Sequence, residues 1–141
     1  MQAAGQDTAP AVRWLSFEQL DLALQASPRP VFVSFYADWC AVCHRMDKES
    51  FTDPAVIDLL NSKYYAVRMD IETPDPVTFG GQTFVNDRIS RVNPVHQIPL
   101  LMASRKNKPF SLPATIVLDD SFTAQARYFR FLSAEQLLKL L

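Results

Sequence analysis

The sequence predicts an α/β domain, a central mixed β-sheet flanked by helices, and three observations carry that reading. Val31 to Tyr36 is a short run of β-branched and aromatic residues that leads straight into a helical pattern near Cys40. Tyr65 to Ile71 alternates Tyr, Val, Met and Ile with Ala, Arg and Asp, which is the period of a strand. Two strands joined through a helix make a βαβ unit, whose crossover is right-handed almost without exception. The last third of the chain returns to strand signals, Ser111 to Leu118 and Thr123 to Phe131, before a final helix.

With 141 residues the chain is long enough for one domain with a real core and too short for two comfortable ones. Its 14 basic and 15 acidic side chains give a net charge of −1, which leaves no electrostatic case for nucleic acid or an anionic membrane as partner. No apolar run reaches the length of a membrane span. The first twelve residues have neither a basic start nor an apolar centre, so they are not a signal peptide. Residues 1–11 are expected to form a flexible polar segment that follows a removed signal or anchor, with the folded domain over 12–141.

In chain order, Val12 to Leu15 reads as a short strand. Ser16 caps the helix after it, Gln19 completes a capping box, and Phe17, Leu20 and Leu24 form the apolar stripe. Pro28 and Pro30 stop that helix. The helix after the first long strand runs from about Cys40 to Ser50, and Asp53-Pro54 restarts it with a cap and an N1 proline, burying Val56, Ile57, Leu59 and Leu60. From about residue 72 to 110 the pattern changes. Val77 to Phe79, Gly80-Gly81 and Gln82 to Val85 form a hairpin signal that uses two of the three glycines. Asn93 to about Lys106 reads as a helix that Pro99 begins or kinks, with the basic cluster Arg105 to Lys108 as a solvated helix end. After the turn at Asp119-Asp120 and the second strand of that pair, Ser133 and Gln136 set a capping box for Ala134 to Leu141.

Cys40 and Cys43 are the only cysteines, too few to staple a domain of this size, and so they mark a site. The first N–H groups of a helix lack intrahelical partners and favour an anion such as a thiolate. Cys40 therefore reads as the activated thiol. Cys43, three residues on and within disulfide reach, is covered by the helix and suits a resolving role.

The string Phe35-Tyr-Ala-Asp-Trp39-Cys40-x-x-Cys43 resembles the active-site segment of the thioredoxin superfamily. The continuation through Ser50-Phe-Thr-Asp-Pro54 is similar to the C-terminal domain of DsbD-type thiol:disulfide reductases, and the likeness covers Val31 to about Ile57 and resumes near Pro113. The resemblance implies a thioredoxin fold with an added N-terminal strand and helix and a hairpin-plus-helix insertion at about 72–110, of a kind found in some bacterial periplasmic thioredoxin-like proteins. It implies that Cys40 attacks a protein disulfide and Cys43 resolves the product, that Pro113 is a cis-proline facing them, that Leu112 offers its backbone to an extended substrate, and that Trp39 shapes the partner surface. It implies no bound cofactor beyond the Cys40–Cys43 disulfide itself, a thiol electron donor such as a membrane reductant conductor, and a periplasmic setting, with the cytoplasm as the alternative. This sequence departs from the family at Ser34, where an acidic proton acceptor is usual, and at Ala41-Val42, where Gly-Pro is familiar. Asp47 matches a second acidic position of the DsbD-type domain, acting through water, beside a plainer reading as a solvated helix carboxylate.

Other readings compete. An oxidant or isomerase would use the same pair with a more stabilised thiolate. A non-catalytic module would hold a haem- or copper-delivery partner, which the serine at position 34 favours. His44 completes Cys-x-x-Cys-His, the attachment signature of c-type haem, but the strand-rich surroundings disfavour it, and His44 reads instead as a tuner of the cysteine thiolate or as an exposed helix residue. Cys40, Cys43, His44 and His96 would total four metal ligands, yet adjacent Cys43 and His44 point apart on a helix, so no metal is expected and His96 reads as a capping or packing residue.

Overall fold

A computed structural model describes residues 10–141. The elements are α1 (Phe17–Ala26), β1 (Val31–Tyr36), α2 (Ala41–Glu49), α3 (Pro54–Lys63), β2 (Tyr65–Asp70), β3 (Val77–Phe79), β4 (Gln82–Phe84), α4 (Gln97–Ala103), β5 (Ala114–Leu118), β6 (Ala124–Tyr128) and α5 (Ala134–Leu140). Four strands form a mixed sheet in the order β2-β1-β5-β6, and β3 pairs with β4 as a separate hairpin. The expected flexible segment 1–11 lies, apart from Pro10 and Ala11, outside the described residues.

Central strand β1 runs parallel to β2, with Val31 opposite Tyr65 and Tyr36 opposite Asp70, and antiparallel to β5, with Phe35 opposite Ala114. Its side chains therefore divide between two covered faces. Val31, Val33 and Phe35 pack with Phe17 and Leu20 of α1 and Ile98 and Ala103 of α4. Phe32 packs on the other face with Met46 of α2, Val56 and Leu60 of α3, and Leu137 of α5. Phe32 is fully buried, and burial of such a ring contributes about 1.5–3 kcal/mol.

The caps follow the sequence closely. Ser16 and Ser133 form reciprocal capping boxes with Gln19 and Gln136, and Asp53 caps α3 ahead of Pro54. Gly80 and Gly81 turn the hairpin at φ of 62° and 78°, a region in which a side chain is disfavoured.

Three expectations need correction in extent. The strand expected at Val12 to Leu15 reduces to a single bridge of Leu15 with Val67, held by Leu15 N–H to the Ala66 carbonyl (2.8 Å) and Arg68 N–H to the Leu15 carbonyl (3.2 Å). The Thr123 to Phe131 strand shortens to β6. The inserted helix spans only Gln97–Ala103, because His96 rather than Asn93 caps it and Pro99 sits in its first turn, where a missing N–H costs nothing. The Arg105 to Lys108 cluster therefore lies beyond the helix, in a turn closed by Lys108 N–H to the Arg105 carbonyl with Asn107 at φ 62°, and not in a last helical turn.

His96 is wholly buried, and both its ring nitrogens are occupied. Nδ1 accepts from the Ile98 N–H at 3.1 Å, so Nε2, 3.1 Å from the Asp75 carbonyl, must carry the proton and donate. Burial lowers the imidazole pKa below its ordinary 6.5, against the opposing pull of the Asp75 carbonyl and the Asp87 carboxylate. The unfolded chain then binds a proton that the folded chain refuses, so this contribution to stability is present above pH 6.5 and is lost as pH falls below it. Unfolding free energy measured in urea is expected to decline between about pH 7 and pH 5. His96→Asn, which keeps a capping acceptor, is expected to flatten that decline; an identical slope in the variant would assign it to other groups.

Candidate active site

Strand β1 delivers the chain to the cysteines with little freedom. Ala37 is fully buried, its carbonyl accepts from the Cys40 N–H at 3.0 Å, and α2 begins at the next residue. Cys40 is the N-cap of α2, and its Sγ accepts from the Cys43 N–H at 3.2 Å, filling the place that a serine or aspartate oxygen takes at other helix starts. A sulfur so placed sits on the partial positive charge of the helix end, which stabilises a thiolate over a thiol. The two cysteines form a disulfide with Cα atoms 5.3 Å apart. The expected contrast in coverage is absent, since Cys40 is 5% and Cys43 6% exposed. Bonded to Cys43, the Cys40 sulfur lies back over the first turn and takes that turn's amide, and both sulfurs are sheltered together.

Trp39 is 65% exposed, and its Nε1–H donates to Glu72 Oε2 at 3.0 Å. The Leu112–Pro113 bond is cis, as the resemblance implied. Trp39 and Leu112 line a cleft of about 430 Å³, to which the insertion contributes residues from Arg88 to Phe110. His44 is exposed on α2, and its Nε2 lies 2.6 Å from the Asp38 carbonyl, which ties the helix back to the loop before the motif.

Beneath α2 lies a polar row that the sequence only half disclosed. Ser34 of β1 stands opposite Arg68 of β2 and Thr115 of β5, so the three share one sheet face. Asp47 reaches down from α2 and accepts both arms of the Arg68 guanidinium, at 2.8 and 2.7 Å. Arg68 also lies 4.2 Å from the Tyr36 ring centroid. Desolvation works against its charge, but the bonds to Asp47 and the nearby Tyr36 outweigh it and hold its pKa above the ordinary value. Asp47 is thus neither a merely solvated carboxylate nor a free acceptor; it is the counter-ion of Arg68. The Thr115 hydroxyl is buried with no hydrogen-bond partner among the described residues.

Trp39 and Leu112 line one cleft, with Cys40 and Pro113 their respective chain neighbours, while His96 is buried and engaged with Asp75 and Ile98. With its two nitrogens engaged elsewhere, the four-ligand set of Cys40, Cys43, His44 and His96 does not form. No group of three His, Cys, Asp or Glu placed to hold a metal occurs among the described residues. Sequence reasoning missed Arg68 and Glu72. The signal for Arg68 was its place in the alternating strand, a charged residue on a sheet that helices cover on both sides.

A family model described as Thioredoxin-like matches residues 13–103. The chain is similar to the thiol:disulfide interchange protein DsbD of Pectobacterium atrosepticum, 51% identical over 37 residues, which is 26% of this chain and 6% of that protein. DsbD of Salmonella typhi is 40% identical over 65 residues, 41% of this chain and 12% of that protein. These matches span about a tenth of those relatives or less. Among solved structures, a thioredoxin from Thermus thermophilus aligns with TM-score 0.62 at 22% identity, over 92% of this chain and 84% of that one. The oxidised C-terminal domain of Neisseria meningitidis DsbD aligns with TM-score 0.53 at 22% identity, over 86% and 85%. At such identities the structural matches speak for the fold.

Arg68→Met keeps much of the side-chain volume and leaves Asp47 half-buried without its partner, so it is expected to destabilise the protein by about 1–3 kcal/mol in denaturant unfolding. Asp47→Asn, which retains an acceptor, should cost less. Wild-type stability in Arg68→Met would show that the pair is not structural.

Proposed function

This chain belongs to the thioredoxin-like family, and we propose that it is a thiol–disulfide oxidoreductase that reduces protein disulfides by exchange through Cys40 and Cys43. The observation that carries the reading is the placement of the pair: Cys40 at the N-cap of α2 and Cys43 one turn on, disulfide-bonded beside an exposed tryptophan.

In the reduced protein the Cys40 thiolate attacks one sulfur of a substrate disulfide. A Cys40–substrate bond forms, the substrate S–S bond breaks, and the leaving sulfur departs as a thiolate that takes a proton. The Cys43 thiolate then attacks the Cys40 sulfur and expels the second substrate thiolate. Two electrons pass to the substrate and the Cys40–Cys43 disulfide is left. The amide of Cys43 and the helix end stabilise Cys40 as it becomes anionic, and the ring of His44, when protonated, adds to that field. Ser34 cannot take the Cys43 proton at neutral pH and Asp47 is held by Arg68, so the proton leaves Cys43 to solvent in this scheme. Trp39, Leu112 and Pro113 position the substrate strand.

The exchange needs no bound cofactor, since the cysteine pair carries the electrons. Another thiol protein must reduce the pair again, and the likeness to DsbD supports a membrane reductant conductor as that donor and the periplasm as the setting. No helix among the described residues is long and apolar enough to cross a membrane. The folded unit is taken as residues 12–141.

The equilibrium reduction potential of the pair, read by alkylation in defined thiol buffers, is expected near thioredoxin's, about −270 mV; a value near DsbA's, about −120 mV, would reverse the direction of electron flow. Cys43→Ser should accumulate a mixed disulfide with an unfolded disulfide-containing protein, released by dithiothreitol, and Cys40→Ser should not. The opposite pattern would exchange the two roles.

A further inference from the structure

The cleft that opens at Trp39, the residue before Cys40, has a lining of two kinds. Trp39 and Leu112 contribute apolar surface, while Arg88, Arg105 and Lys108, all from the insertion, contribute positive charge. One carboxylate, Glu72, also lines the cleft; it accepts from the Trp39 indole and keeps its charge, so the lining carries three cations against one anion. Among the described residues the only ion pairs are Arg45–Glu49 and Arg68–Asp47, so none of the three cleft cations has a carboxylate partner. The chain as a whole carries a net charge of −1, and this cluster departs from it sharply.

Arg105 is fixed without being neutralised. Its Nη2 donates to Ser111 Oγ at 2.7 Å and its guanidinium lies 4.0 Å from the Phe129 ring centroid. Both partners are uncharged, so the arginine keeps its full charge while losing freedom in advance of any ligand. Lys108 follows through the turn at Asn107, which a backbone bond to Arg105 closes. A concave wall of like charge over a low-dielectric body focuses the field and raises the encounter rate with opposite charge.

We infer that the cleft accepts an extended acidic peptide segment: the stretch of a substrate protein flanking its disulfide cysteine, with carboxylates set against Arg88, Arg105 and Lys108 as the cysteine sulfur meets Cys40. This rests on the exchange reading above. Trp39 and Leu112 present the substrate backbone to the reduced cysteine pair, and the insertion selects among substrates by charge. Pairing of guanidinium and ammonium groups with carboxylates supplies charge-assisted hydrogen bonds that a basic segment would turn into repulsion.

The test uses three synthetic peptides, each with one cysteine blocked as a 2-thiopyridyl disulfide and flanked by Glu, Gln or Lys. Reaction with the reduced protein releases the uncharged thione, followed by stopped-flow absorbance, and each rate is divided by that with 2-mercaptoethanol to remove intrinsic reactivity. At about 0.01 M ionic strength the Glu peptide is expected to react about tenfold faster than the Lys peptide. At about 1 M, where the Debye length falls to roughly 3 Å, the ratio should approach unity. Combined Arg88→Gln, Arg105→Gln and Lys108→Gln should bring it near unity at low salt. Arg88→Glu with Lys108→Glu leaves the Arg105 contacts intact and should invert the order. A wild-type ratio near one, or a preference that survives both sets of substitutions, overturns the inference and leaves the exchange chemistry standing; no reaction with any peptide overturns the exchange reading itself.

Discussion

The molecule depends on the double pairing of strand β1. Its backbone is hydrogen-bonded to a parallel neighbour on one side and an antiparallel neighbour on the other, and its side chains are covered on both faces. A strand so confined has one register and one exit point, and the exit point is where Ala37 passes the chain to Cys40. The far end of α2 is anchored as well, by Met46 in the core and by the Ser50 hydroxyl, which donates to the Leu132 carbonyl ahead of α5. The cysteines thus sit on a helix held at both ends, so their chemistry is set by orientation rather than by loop flexibility.

The polar row under that helix is balanced from the helix and not from the sheet. With serine at position 34, the sheet face offers Arg68 no negative charge from β1, and α2 supplies one through Asp47. The arrangement keeps a cation and an anion close below the cysteines, where the surrounding protein screens them less than water would. It also commits the Asp47 carboxylate of that helix to an ion pair.

Much of this was legible from residues alone. The strand into Cys40, the capping residues Ser16, Asp53 and Ser133, the Gly80-Gly81 turn and the proline before β5 each act through local chemistry, and local chemistry is written in neighbouring residues. The inserted helix was read too long because Asn93-Pro94 imitates a helix start, whereas the chain makes its cap from His96, whose role depends on Asp75 and Ile71 more than twenty residues upstream. The basic cluster was placed on a helix end for the same reason. Neither reading of Asp47 included its ion pair, because the partner Arg68 lies 21 residues away on a strand. In each case the missing information was a contact between distant segments, which no periodicity encodes.

The hydrogen bond from Trp39 to Glu72 joins the residue before the first cysteine to the residue at which the insertion begins. The ring that a partner would meet is thereby indexed to the insertion, and the two are not independent modules. Grafting the segment 72–110 onto a related scaffold would carry its charged wall but also dictate the tilt of that scaffold's tryptophan. Conversely, a scaffold without an acceptor at this position would receive the wall with its facing ring unmoored.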